Sequence, residues 1–94
     1  MPAYVIVQAE VTDPARYAQY RALSGPAVEA YGGRFLVRGG TLEQLEGAWE
    51  VPRLVLLEFP DAATARRWYD SPEYGAARAA RAGAARMTMT LVAP

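Results

Sequence analysis

The chain contains no cysteine, no histidine and no lysine. Without cysteine there is no disulfide framework and no thiolate nucleophile. Without histidine there is no Ser–His dyad, no histidine-ligated haem and no ordinary zinc centre. These absences restrict the available chemistry more than any residue present, and they lead us to expect no metal and no cofactor. The ten basic residues are all arginine and are balanced by ten acidic ones, so the formal net charge is zero. A neutral chain with no basic run predicts neither nucleic-acid binding nor attachment to an anionic membrane. No apolar stretch approaches the roughly 18–20 residues of a membrane span. Met1-Pro2-Ala3-Tyr4 has neither a basic nor an apolar leader region, so a cytoplasmic location is expected.

What is present fits one small domain over residues 1–94, with an apolar fraction of 52%. A chain this short buries only about 60–65% of its unfolded surface, so it gains modest stability alone. An all-arginine basic set suits bidentate recognition of carboxylate or phosphate. The 19 alanines point to biased codon usage as the plainer reason.

Ala3 to Val11 alternates with period two and predicts a strand, with Val5, Val7 and Ala9 on one face and Tyr4, Ile6, Gln8 and Glu10 on the other. Asp13-Pro14 predicts a helix cap followed by Pro at the first helical position, and Tyr17, Tyr20, Leu23, Val28 and Tyr31 recur near helical spacing. Pro26 predicts a kink or short break, and Gly32-Gly33 the helix end. Arg34 to Arg38 reads as a second strand, with Phe35 and Val37 on one face and Arg34, Leu36 and Arg38 on the other. A bulge or bend is expected at Gly39-Gly40, and Thr41 to Trp49 reads as a strand extension or arm. Arg53 to Phe59 is the third strand. A second helix opens at Asp61, takes a further cap at Ser71-Pro72 and runs to about Ala82. Arg86 to Val92 is the last strand. The order βαββαβ predicts an α+β, ferredoxin-like domain: a four-stranded antiparallel sheet with two helices on one face.

Two helices cover one face of such a sheet. The other face would carry Tyr4, Ile6, Leu36, Leu54 and Leu56. At roughly 25 cal/mol per Å2, leaving these side chains wet forfeits several kcal/mol. The direct remedy is a second sheet packed face to face, a two-fold homodimer of barrel type. The same face is expected to hold Gln8, Glu10, Arg34, Arg38 and Glu58. With the first and third strands taken as parallel neighbours, Glu10 and Glu58 are expected close together and Arg34 beside Glu58. They form either a structural ion-pair cluster or the polar end of a pocket.

Tyr31-Gly32-Gly33-Arg34-Phe35-Leu36-Val37-Arg38-Gly39-Gly40, Leu57-Glu58-Phe59-Pro60 and Trp68-Tyr69-Asp70-Ser71-Pro72-Glu73-Tyr74, with Asp13-Pro14 before Tyr17 and Tyr20, resemble the domain of unknown function 1330 family along essentially the whole chain. The resemblance implies a ferredoxin-like fold of the dimeric α/β-barrel superfamily. It implies no particular activity, because that superfamily hosts cofactor-free monooxygenases, isomerases, haem enzymes and plain binding proteins.

Carboxylates, tyrosines and arginines remain for any chemistry. Glu58 is the candidate general base, should burial raise its pKa. Arg34 or Arg38 is the candidate clamp for a carboxylate or enolate oxygen. Tyr20, Tyr69 and Tyr74 are candidate hydrogen-bond donors to a ligand, or core residues with wet hydroxyls. Trp68 reads as core, Ser71 as a cap, and Arg66, Arg67, Arg78 and Arg81 as a solvated helix face, although Arg81 could reach the sheet end. Three functions stay open: a dimer binding a small anionic or hydrophobic metabolite, a cofactor-independent enzyme acting on an activated aromatic or carbonyl substrate, and a purely structural dimer.

Overall fold

The computed structural model describes residues 1–49 and 51–94. Its elements are β1 (Ala3–Val11), α1 (Pro14–Ala30), β2 (Arg34–Arg38), β3 (Arg53–Phe59), α2 (Ala62–Tyr69), α3 (Pro72–Ala80) and β4 (Ala85–Val92). The expected second helix is thus two short ones. The Ser71 hydroxyl oxygen accepts from the Tyr74 N–H at 3.1 Å and the same hydroxyl donates to the Trp68 carbonyl at 2.7 Å, closing α2 and opening α3 with one side chain. Asp13 and Asp61 cap α1 and α2 by accepting from the N–H groups of Arg16 and Thr64. Pro26 lies inside α1, which runs through it without the break that was one of the two expected outcomes. Thr41 to Trp49 forms no strand.

The sheet order is β2-β3-β1-β4 with every neighbouring pair antiparallel. The parallel pairing expected for β1 and β3 is therefore wrong. The α1 crossover makes β1 and β2 parallel, and β3, lying between them, must oppose both. One consequence is that Glu58 sits opposite Tyr4 whereas Glu10 sits opposite Arg86. Six residues along β1 separate the two positions, about 20 Å at a rise of about 3.3 Å per residue, so the expected Glu10–Glu58 neighbourhood does not exist.

A second correction concerns β2. Arg34 pairs with Glu58 and Phe35 with Leu57, but then Val37 pairs with Leu56 and Arg38 with Val55. Leu36 is the extra residue of a β-bulge. One extra residue moves every later side chain to the opposite face. Val37 joins the open face with Leu56, and Arg38 turns to the helix face. The two arginines expected on one face are thereby divided.

The core lies between the helices and the face formed by Val5, Val7, Val55, Leu57 and Phe59. Trp68 is its centre, 1% exposed, with ring centroids 4.9 Å from Phe59 and 4.2 Å from Tyr74. Such aromatic pairs add about 0.5–1.5 kcal/mol each beyond the area they bury. The open face bears Tyr4, Ile6, Leu54 and Leu56 half-buried, with Leu36, Val37 and Val92 exposed.

Candidate functional site

α2 and α3 cover β4 incompletely. The gap is a cleft of about 440 Å3, lined by Val5, Met87, Met89 and Leu91 from the helix face of the sheet and by Trp68, Tyr69 and Arg81 from the helical layer, with Arg66 and Asp70 at exposed positions. Period two along β4 puts Met87, Met89 and Leu91 on this side and leaves Thr88 and Thr90 on the other. The sheet wall is therefore apolar, as a pocket for an organic molecule requires.

A hydrogen-bonded group stands behind this wall. The Tyr74 hydroxyl donates to Met89 Sδ at 3.6 Å, and the Tyr20 and Tyr74 hydroxyls lie 2.8 Å apart. With the Tyr74 proton directed to sulfur, the shorter contact uses the Tyr20 proton. Burial first, and then the adjoining Tyr20 hydroxyl, hold the Tyr74 phenol far above its ordinary value, while Arg81 pulls it weakly down. Tyr74 is thus a neutral phenol across all physiological pH. The Arg81 guanidinium lies 5.4 Å from the Tyr20 ring centre. Arg81 Nε and Trp68 Nε1 are buried with no hydrogen-bond partner among the described residues, and both residues line the cleft. Buried unpaired donors are costly, and a charged one more so.

Of the residues singled out from sequence, Tyr20, Tyr69 and Tyr74 come together: Tyr69 and Tyr74 rings lie 5.8 Å apart, and Tyr20 and Tyr74 rings 6.2 Å. Glu58 and Arg34 also come together, but on the open face, where Arg34 Nε donates to Glu58 Oε1 at 2.7 Å. Arg38 joins neither group. Its Nη2 donates to the Arg21 carbonyl at 3.2 Å and its guanidinium lies 4.1 Å over the Phe35 ring. Desolvation first, and then the charges of Arg21 and Arg53, hold its pKa below the ordinary value. Sequence reasoning placed Arg81 on a solvated face, with the sheet end only as an alternative. Its position at the C-cap of α3, two residues before Gly83, was the available signal. There the chain turns back toward the sheet, and Gly83 takes a φ of 77°. Among the described residues no group of three or more His, Cys, Asp or Glu side chains converges as a metal site, and no helix is long and apolar enough to cross a membrane.

A family model described as a domain of unknown function, DUF1330, matches residues 2–94. No curated protein sequence matches the chain. Among solved structures, a protein of unknown function from Rhodopseudomonas palustris aligns with a TM-score of 0.79 at 21% identity, covering 99% of this chain and 82% of its own. A dimeric ferredoxin-like protein of unknown function from Jannaschia aligns at 0.73 with 15% identity and full coverage of both chains. SnoaB of Streptomyces nogalater, a cofactor-independent oxygenase, aligns at 0.64 with 14% identity, covering 99% of this chain and 92% of that one. At these identities the similarity establishes the ferredoxin-like fold and nothing further.

Proposed function

This chain belongs to the DUF1330 family, and from that premise we propose that it is a homodimeric binding domain for a small anionic, partly apolar metabolite, held in the cleft between α2, α3 and β4. The observation that carries the reading is the unpaired Arg81 Nε beside the Tyr20–Tyr74 pair at an apolar wall. A carboxylate, enolate or phenolate oxygen near the guanidinium satisfies the charge, and the ligand's hydrophobic body covers Met87, Met89 and Leu91. In this reading a two-fold partner packs on the open face; the ferredoxin-like protein from Jannaschia, which shares the fold, is dimeric. That assignment is supported by the flat shape of one subunit, whose Cα extents are 32 × 32 × 16 Å, and by the apolar patch on its broad side.

The fluorescent aromatic anion 8-anilinonaphthalene-1-sulfonate tests the site. Titration into the intact protein gives saturable binding, and Arg81→Gln weakens it about tenfold or more, the loss of one charge-assisted contact. Binding unchanged in Arg81→Gln removes the proposal. The fold shared with the cofactor-independent oxygenase SnoaB keeps an enzymatic reading in play. In that reading Arg81, at the cleft wall, steadies an enolate or phenolate oxygen, and Glu58, on the opposite face, reaches no substrate in the cleft. Glu58→Gln then leaves turnover of any substrate unchanged while Arg81→Gln lowers it.

A further inference from the structure

The helix face holds a second cluster of arginines, at the end of the sheet where α1 meets β2 and β3. We propose that Arg21, Arg38 and Arg53 form a binding site for a compact tetrahedral dianion of the phosphate class, separate from the cleft at β4.

The backbone makes room for these groups. Gly39 has a φ of 81°, so any side chain there is strained, and a Cβ would lie 2.8 Å from Arg53 Nη1 and displace the guanidinium. Inside α1, Gly25 lies in ordinary contact range of the Arg38 guanidinium, where a Cβ would be 3.7 Å from Nη1 and would fit. Gly25-Pro26 is a poor choice for a helix interior, and this is the turn on which Arg38 rests. Arg38 is anchored by the Arg21 carbonyl and the Phe35 ring, and Arg53 lies 5.8 Å from the Tyr17 ring centre. The Arg38 and Arg53 guanidiniums are therefore positioned by neighbours that use few of their donors.

No ion pair among the described residues balances these charges locally. Both ion pairs among the described residues, Arg34–Glu58 and Arg86–Glu10, lie on the other face of the sheet. Arg53 Nε is buried and has no partner among the described residues. Three like charges drawn together without a counter-ion repel, and an anion with several acceptor oxygens relieves all three at once. The enclosed space beneath the cluster is only about 20 Å3, too small for an organic body, while Arg21 and Arg38 are exposed. The ligand is accordingly held by its anionic head, over the guanidiniums and facing solvent.

Calorimetric titration of the intact protein with inorganic phosphate at low ionic strength, against a matched chloride blank, gives one saturable site per chain. Arg38→Gln weakens it about tenfold or more, whereas Arg86→Gln on the open face and Arg81→Gln in the cleft leave it unchanged. Loss in Arg81→Gln alone would mean that phosphate occupies the cleft and would overturn the second site. Because Arg38 and Arg53 also pack, a second measurement uses the unmutated protein. Phosphate protects Arg21 and Arg38 from phenylglyoxal, read by peptide mass, and leaves Arg86 reactive. Failure of phosphate to saturate in the millimolar range, binding of acetate as tight as that of phosphate, or equal protection of Arg86 each overturns the proposal.

Discussion

The two faces of the sheet treat arginine differently. On the open face each arginine is matched across strands: Arg34 to Glu58 at 2.7 Å and Arg86 to Glu10 at 2.6 Å. On the helix face Arg38, Arg53 and Arg81 meet tyrosine and phenylalanine rings, and no carboxylate pairs with them among the described residues. Charges neutralised within the chain can be covered by a protein surface at bearable cost. Charges left unmatched where water is partly excluded are stabilised by a counter-ion from outside. From this difference we propose that the open face serves association and the helix face ligands. Each assignment can be broken separately.

The largest effect is expected at the centre of the open face. Ile6 lies opposite Leu56 and Thr90 on its two neighbouring strands. Ile6→Asp places an unpaired carboxylate where the proposed dimer is driest, costing several kcal/mol of association. Light scattering at micromolar concentration should then report a monomer, and 8-anilinonaphthalene-1-sulfonate should still enter the cleft. An unmutated protein that is already monomeric ends the dimer proposal. A dimer that survives Ile6→Asp places the interface elsewhere.

The contrast between faces was only partly legible in the sequence. β1, β3 and β4 alternate without interruption, so their faces follow directly from period two. β2 reads just as regularly, as Arg34-Phe35-Leu36-Val37-Arg38, and nothing local marks the bulge at Leu36. The glycines that drew attention to Gly39-Gly40 do form a bend, with φ of 81° and 104°, but the register had already shifted before them. Pairing partners, not intrinsic propensity, set a bulge, and partners are set by the whole sheet. The same limit explains Glu10 and Glu58: each was placed on the correct face, and the error lay in the direction of β3. Arg53 was read only as the start of a strand, because its neighbours Tyr17 and Gly39 are distant in sequence.

A smaller effect sharpens the comparison. The Arg34–Glu58 pair is worth less than about 1 kcal/mol where water screens it, and breaking a desolvated pair costs about 3 kcal/mol. Glu58 is already the more covered partner, its side chain 22% exposed against 69% for Arg34. If a second sheet covers this face, Glu58→Gln destabilises the assembled dimer by closer to the higher figure. Made together with Ile6→Asp, in the monomer, it returns to the lower one. Chemical denaturation of the four proteins gives both values as a double-mutant cycle. Equal costs in the two backgrounds mean that the pair remains in water and that the partner leaves this corner of the sheet uncovered.

The smallest effect belongs to neither face and serves to separate stability from assembly. Asp61 caps α2 through its carboxylate, accepting from the Thr64 N–H at 2.7 Å, and these hydrogen bonds hold its pKa below the ordinary 3.8. A depressed folded-state pKa means that the unfolded chain binds the proton more readily. The stabilisation is therefore present above about pH 4 and drains away as pH falls through the folded value. Asp61→Ala should lower the melting temperature modestly at pH 7, with the difference shrinking progressively below pH 4. Dimer mass and phosphate affinity at pH 7 should not move, because the cap touches neither the open face nor the three arginines. A fall in either would show that association and binding follow general stability, and the division of labour between the two faces would lose its support.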